Sequence, residues 1–130
     1  MEWEDYWLKA KENLTVTGLA YHGKHYNACA SRAYYAVYLA SIAVLIRLTD
    51  CRAKDGEWGH SQVQAELNRR LIMRQKVLPS ELGRTPMDLI ALRHLADYAP
   101  QAVTLSKAKL AYERAEKFLA AIGNILGEPL

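Results

Sequence analysis

The apolar residues of this chain recur at the spacing of α-helices. In the first segment, four of them fall three or four positions apart and so share one helical face: Trp3, Trp7, Ala10 and Leu14. Thr17, the next position of that face, is polar, so the apolar side is expected to fade there and the helix to end between residues 18 and 23. Residues 24–49 are apolar on nearly every side, which is typical of a central helix covered by several neighbours.

A third helix is predicted after a loop. Residues 50–59 are polar and contain two glycines, which is typical of a connecting loop. The next segment, residues 60–76, carries a ragged apolar stripe at helical spacing, formed by Val63, Leu67, Leu71 and Met73/Arg74. We therefore expect one helix over that range.

The last two helices carry their own start signals. Thr85 can accept hydrogen bonds from free N–H groups and Pro86 suits a first helical position, so we expect the fourth helix to run from Pro86 to Tyr98. Thr104 is expected to cap a fifth helix with a continuous apolar stripe. Five helices joined by short loops predict an all-α fold, an up-and-down helical bundle that forms a single domain over residues 1–130.

The composition of the chain excludes several classes of protein. With 51% hydrophobic and 24% charged residues, the chain has the composition of an ordinary folded domain, which excludes a disordered tail, a collagen-like fibre and a disulfide-rich miniprotein. The longest apolar run, residues 33–46, is shorter than the roughly 20 residues that a membrane span needs. The acidic first residues do not resemble a signal peptide. We therefore expect a cytoplasmic protein that makes no membrane contact.

The sequence offers no metal or cofactor motif. His22 and His25 have a spacing that suits two ligands on one helical turn, but no third ligand is near, and Gly23 between them indicates a loop. The two cysteines, Cys29 and Cys51, have neither zinc-type nor redox-type spacing. The glycines stand singly, so they form no phosphate-binding loop. We expect no metal and no cofactor.

The positive charge is concentrated in one stretch. The formal net charge is +3, and residues 66–84 hold as large an excess through Arg69, Arg70, Arg74, Lys76 and Arg84. These side chains can hold a phosphate backbone, or they can form an ordinary solvated helix face. No aromatic residue lies between them to stack on a base. Arg84 is kept as a candidate ligand of nucleotide or RNA.

The fourth helix holds a charged pair near its end. Arg93 and Asp97 are four residues apart and share a helical face, and Asp97 falls in the last turn, where the helix dipole disfavours an acid. An acid held against that field indicates a specific partner. Two interpretations stay open. The pair either locks the helix end, or it forms a site in which Asp97 orients the guanidinium towards a phosphate while Tyr98 presents its hydroxyl nearby.

Three short motifs resemble those of HEPN domains, in order and in spacing. They are Ser31-Arg32-Ala33-Tyr34-Tyr35-Ala36, then Gly59-His60-Ser61, then Leu92-Arg93 with Ala96-Asp97-Tyr98. The resemblance covers essentially the whole chain, which is similar to small, stand-alone members encoded beside minimal nucleotidyltransferases. It implies a helical bundle that dimerises around a cleft for RNA cleavage or nucleotide binding. It also implies the toxin-like half of a toxin–antitoxin-type module, with the nucleotidyltransferase as antitoxin.

The chain departs from the nuclease members of that family at one point. Those members have an Arg followed after four to six residues by a His. Arg93 matches the Arg, but Tyr98, Ala99 and Pro100 occupy the permitted His positions. Whether the chain is an enzyme therefore stays open, with Arg93, Asp97, Tyr98 and His60 of another helix as the candidate catalytic residues.

The same residues define three functional hypotheses. The leading one is a homodimer that binds a nucleotide or RNA, with the candidate ligands Arg93, Ser31, Tyr35 and Arg84. The second is a divergent metal-independent ribonuclease that uses Arg93 with His60 or Tyr98. The third is a non-catalytic scaffold that only docks the nucleotidyltransferase.

Overall fold

The computed structural model describes residues 2–130, and within that range five α-helices and no extended strand are formed. They are α1 (Glu2–His22), α2 (Tyr26–Leu48), α3 (His60–Glu66), α4 (Thr85–Tyr98) and α5 (Leu105–Leu126). A π-helical segment, Leu67–Arg74, continues α3, and a 3-10 turn, Ser80–Arg84, precedes α4. The predicted all-α bundle of five helices is confirmed.

The central helix of the bundle is α2. It packs against α1, α4 and α5. Small side chains on several of its faces are fully buried and let neighbouring helices approach closely: Ala30, Ala33, Ala36, Ala40 and Ala43. Among the helices described, α2 alone is long and apolar enough to cross a membrane, but most of it is buried inside the bundle, as in a core helix. One copy of the chain thus covers most of α2.

The fifth helix closes the core as predicted. Its whole apolar stripe is buried: Ala108, Ala111, Ala115, Phe118, Leu119, Ile122 and Leu126. Thr104 caps the helix, since its Oγ1 accepts a hydrogen bond from the Lys107 N–H at 3.2 Å. Gly127, at φ 74°, ends it in the left-handed conformation that glycine adopts readily.

On α1 the buried face extends further than predicted. Trp7 and Ala10 are buried as expected, but Thr17 is also fully buried. Its hydroxyl donates to the Asn13 carbonyl at 2.7 Å, so the polar group is satisfied inside the helix and can enter the core. The expectation that the face fades at Thr17 is therefore wrong.

The third helix covers the predicted range to Arg74, but its second half is π-helical rather than α-helical. After Glu66 the backbone changes to the wider π-helical pairing, which lasts to Arg74. Leu67 and Leu71, about one such turn apart, are both fully buried. Either helical period brings these two leucines to the core, so their spacing does not reveal the change.

The fourth helix begins differently from the prediction. Thr85 is a buried residue within α4, and its side chain caps nothing. The preceding 3-10 turn runs directly into the helix, with Arg84 already helical at φ −87° and ψ −13°. The Thr85 N–H bonds to the Leu82 carbonyl, so the turn supplies the partner that a side-chain cap would have supplied. The end of the helix at Tyr98 is as predicted.

The loop between α2 and α3 is fastened to α2 by two tyrosines. The Tyr38 hydroxyl donates to the Trp58 carbonyl, and the Tyr34 hydroxyl forms a hydrogen bond with Nδ1 of His60. His60 is the first residue of α3. The fold therefore places this imidazole directly beside the tyrosine face of α2.

Candidate functional site

Three helices contribute to a cluster of charged and aromatic side chains. We call its members the Arg93 cluster: Ser31, Tyr34 and Tyr35 of α2, His60 of α3, and Arg93, Asp97 and Tyr98 of α4. Every site residue predicted from the sequence except Arg84 belongs to it. The helices of a rigid bundle therefore hold these side chains in fixed relative positions.

Arg93 makes the most contacts within the cluster. Its Nε donates to Asp97 Oδ2 at 3.3 Å, and its Nη2 donates to the Tyr98 hydroxyl at 3.4 Å. Its guanidinium carbon lies 5.7 Å from the centroid of the Tyr34 ring and 5.2 Å from that of the Tyr35 ring, both within cation–π range. The side chain keeps 13% of its surface exposed. The cation is thus held from several sides and remains accessible to a ligand.

Asp97 joins α4 to α2. Besides the ion pair with Arg93, it accepts a hydrogen bond from Ser31 Oγ at 3.4 Å. These two donors offset the unfavourable position of an acid in the last turn of a helix. The prediction that Asp97 has a specific partner is confirmed, and its side chain is 32% exposed rather than sealed in the bundle.

The surroundings of His60 disfavour the charged form of its imidazole. Partial burial and then the positive charges of Arg93 and His94 lower the pKa of His60 below its ordinary value. Burial raises the pKa of Tyr34 well above its ordinary range, so that phenol keeps its proton. Because Nδ1 of His60 is engaged by Tyr34, Nε2 is the ring nitrogen left for a ligand.

Sequence reasoning missed several neighbours of the site. Tyr38 stacks on Tyr34 with ring centroids 5.9 Å apart and packs on His60 at 4.5 Å. His94 lies beside Tyr98 at 5.7 Å, and Arg32 lies over the Tyr35 ring. A signal was present in the sequence: buried tyrosine hydroxyls need partners, so a run of tyrosines inside an otherwise apolar helix indicates polar neighbours.

Arg84 lies away from the cluster. It comes before α4, about 13 Å from Arg93 along the helix axis at the usual rise per residue. It lines a separate surface cavity of about 320 Å³ together with Asp88 and Arg114, which form an ion pair at 3.0 Å. The sequence prediction that placed Arg84 with Arg93 at one ligand is therefore not supported by the geometry.

Part of the basic stretch is neutralised within the chain. Arg69 and Arg70 both bind Glu66, and Arg70 also binds Asp50. These ion pairs favour the interpretation of this stretch as a solvated helix face.

The two histidines considered as metal ligands are exposed. His22 ends α1, and His25 lies in the following loop. Over residues 2–130, no group of three or more His, Cys, Asp or Glu side chains is arranged to hold a metal ion.

Comparison with known proteins gives one match. Residues 3–125 match the HEPN domain family, so the match covers nearly all of the chain. No curated protein matches it. The family fold is a helical bundle, in agreement with the five helices described above. On the extent of this match, the chain belongs to the HEPN domain family.

Proposed function

We propose that this protein binds a nucleotide or RNA through the Arg93 cluster. Membership of the HEPN family supports a nucleotide- or RNA-related function in general. The observation that carries the proposal is the Arg93 guanidinium, which Asp97 and two tyrosine rings hold in place while 13% of the side chain remains exposed. A guanidinium fixed in this way can form two parallel hydrogen bonds with a phosphate and loses little freedom on binding.

The test is a binding measurement with a matched arginine control. Arg93→Gln and Arg114→Gln each remove one arginine that is paired with one aspartate, but Arg114 pairs with Asp88 outside the cluster. Affinity for a fluorescein-labelled single-stranded oligoribonucleotide would be measured by anisotropy at fixed salt. A charge-assisted hydrogen bond contributes about 1.5–3 kcal/mol, so Arg93→Gln should weaken binding at least about tenfold.

The control defines what would contradict the proposal. Arg114→Gln should bind within about twofold of the parent protein, since it removes the same charge from another surface. Arg93→Lys should weaken binding as Arg93→Gln does, because an ammonium cannot make the bidentate contact with a phosphate. Equal losses in Arg93→Gln and Arg114→Gln, with both variants folded by circular dichroism, would refute a site at Arg93.

A second candidate function is metal-independent RNA cleavage, which the position of His60 favours. Such cleavage needs a group that takes the 2′-hydroxyl proton and a group that stabilises the charge on the phosphate. The neutral form of His60, which burial favours, fits the first role through Nε2 when Nδ1 carries the ring proton and donates to the Tyr34 oxygen, and Arg93 fits the second. In the presence of EDTA, His60→Ala should abolish cleavage of a labelled RNA while binding changes little. Undiminished cleavage by His60→Ala would exclude this mechanism.

We also propose that the protein is a homodimer. The family resemblance implies it, and three exposed apolar residues on the outer side of α1 support a subunit contact there: Leu8, Val16 and Leu19. Sedimentation velocity over the micromolar range should show the dimer. A monomer at every concentration would contradict this proposal.

The family resemblance further suggests the toxin-like half of a two-gene module whose antitoxin is a nucleotidyltransferase. We propose Tyr98 as the residue that the partner modifies, since its side chain is 70% exposed and its hydroxyl lies beside Arg93. The phenol oxygen would bond to the α-phosphorus of a nucleoside triphosphate, pyrophosphate would leave, and the phenol proton would pass to solvent. After co-expression with the transferase, mass spectrometry should find nucleotidyl groups on Tyr98 and none on Tyr98→Phe.

Growth assays separate this module from a scaffold that only docks the transferase. Expression of the chain alone should arrest growth, and Arg93→Gln should remove that effect at equal protein level. A chain that binds the transferase but neither arrests growth nor binds RNA would act as the scaffold instead.

A further inference from the structure

Arg32 lies next to the Arg93 cluster without being one of its members. Its guanidinium carbon is 4.8 Å from the centroid of the Tyr35 ring, and that of Arg93 is 5.2 Å from the same centroid. Since both distances are measured to one point, the two guanidinium carbons lie within about 10 Å of each other, each in cation–π range of the ring. Tyr35 is therefore shared by two arginines.

The charges of these two arginines are balanced differently. Arg93 has an aspartate partner, whereas Arg32 donates through Nη1 to the neutral side-chain oxygen of Asn13 on α1, at 3.2 Å. Asn13 therefore orients the Arg32 side chain without cancelling its charge. Among the ion pairs of the described residues, none involves Arg32. The two arginines that share Tyr35 thus have one carboxylate partner between them, an imbalance that an anionic ligand would correct.

We propose that Arg32 forms a second phosphate subsite beside Arg93, and that the ligand carries two linked phosphate groups. The inference rests on the proposed function, because Arg93 provides the first subsite. A guanidinium binds a phosphate oxygen at about 2.9 Å, so two arginines at this separation can each hold one of two linked phosphates. Consecutive phosphates of an RNA strand and the phosphates of a nucleoside diphosphate share this chemistry.

The test compares two arginines of the same helix. Arg32 and Arg47 are both on α2, and Arg47 also lies over an aromatic ring, that of Trp3 at 5.7 Å. Arg47 is about 22 Å further along the helix axis at the usual rise per residue. Arg32→Gln and Arg47→Gln therefore remove the same charge and the same kind of ring contact, one beside the cluster and one far from it.

Three probes distinguish one phosphate from two: AMP, ADP and hexaadenylate RNA, each titrated against the full-length protein. Arg32→Gln should weaken binding of ADP, of the RNA or of both by about tenfold and leave AMP unchanged, whereas Arg93→Gln should weaken all three. For the RNA, the slope of log affinity against log salt concentration should become shallower by about 0.7 in Arg32→Gln, the value for one phosphate contact on a single strand. Arg47→Gln should resemble the parent protein throughout.

The outcomes separate the second subsite from the proposed function. A loss confined to the RNA supports the subsite with a strand as ligand, and a loss confined to ADP supports it with a nucleoside diphosphate. If Arg32→Gln binds like Arg47→Gln while Arg93→Gln binds every probe more weakly, the second subsite is overturned and the proposed function stands. If Arg32→Gln loses as much affinity for AMP as Arg93→Gln does, the second subsite is also overturned, because both arginines then hold the same phosphate. If Arg93→Gln keeps its affinity for every probe, the proposed function itself is wrong.

A second variant guards against misfolding. Arg32→Lys keeps the charge and most of the packing, so it should keep the salt slope and lose only part of the affinity. If Arg32→Gln keeps its full affinity for ADP and for the RNA and its melting temperature is unchanged, the subsite is overturned whatever the result for Arg32→Lys.

Discussion

The hydrogen bond between the Tyr34 hydroxyl and His60 Nδ1 holds the start of α3 on α2, and its contribution to stability can be measured. Tyr34→Phe removes the hydroxyl and keeps the ring on which Tyr38 stacks. A neutral hydrogen bond contributes about 0.5–1.5 kcal/mol net to stability. Removing the hydroxyl leaves His60 Nδ1 without this partner, and we expect a loss of about 1 kcal/mol.

A double-mutant cycle isolates that bond. The four proteins are the parent, Tyr34→Phe, His60→Ala and the double variant, each unfolded in urea. The coupling free energy between the two positions should be about 0.5–1.5 kcal/mol. Tyr34→Phe alone should lower the melting temperature by a few degrees, about 3–5 °C per kcal/mol for a domain of this size.

Tyr38 supplies the matched control. Its hydroxyl donates to the Trp58 carbonyl rather than to His60, although its ring also packs on that imidazole. The cycle of Tyr38→Phe with His60→Ala should therefore give a coupling below about 0.3 kcal/mol. A coupling that small for the Tyr34 pair, or equal couplings for both pairs, would refute the argument that Tyr34 positions His60.

Three further predictions concern stability. Because the pKa of His60 is lowered below 6.5 in the folded protein, the unfolded chain takes up this proton first as the pH falls. The contribution of His60 to the unfolding free energy should therefore be full above pH 6.5 and should decline below it, until the pH passes the pKa of His60 in the folded protein. Urea titrations across that range should show this decline in the parent protein, and His60→Ala should lack the part that His60 causes. Phe118 is fully buried, so Phe118→Ala should cost about 3–5 kcal/mol; calorimetry showing a fall of only a few degrees in melting temperature would contradict this. A Cβ on Gly83 would overlap both Asn68 Oδ1 and Ile72 Cδ1, so Gly83→Ala should cost about 1–3 kcal/mol in urea unfolding. Gly59→Ala, where the nearest atom is Gln62 Cβ at an ordinary contact distance of 3.9 Å, should change the unfolding free energy by less than about 0.5 kcal/mol.

The helical fold was predictable because apolar periodicity depends directly on helix geometry. The stripe of α5 needed only a period of 3.6 residues to be recognised. The π-helical segment was not predictable, since the spacing of Leu67 and Leu71 fits either helical period and only packing decides between them. The prediction of a cap at Thr85 was wrong for a different reason. The 3-10 turn supplies the Thr85 N–H with a partner, and no local sequence signal reveals that turn.

The site was predictable only where its residues share an element. Arg93 and Asp97 are four apart on one helix, so their ion pair followed from spacing. Ser31 and Asp97 are 66 residues apart, and their hydrogen bond depends on how α2 and α4 pack. Arg84 illustrates a different error, because it was a candidate through the charge of the basic stretch, and charge pattern alone does not place a residue beside Arg93.

The position of α2 restricts how this protein can evolve. One helix supplies fully buried core residues such as Ala33 and Ala36, and also the tyrosines of the Arg93 cluster. A substitution in α2 that alters the site is therefore liable to disturb packing as well, so a mutational scan should find few tolerated changes along it. The last turn of α4 is under less packing constraint, since Asp97 and Tyr98 are partly or largely exposed. Diversification of ligand preference among descendants of this sequence should accordingly concentrate at the end of α4, while α2 changes slowly.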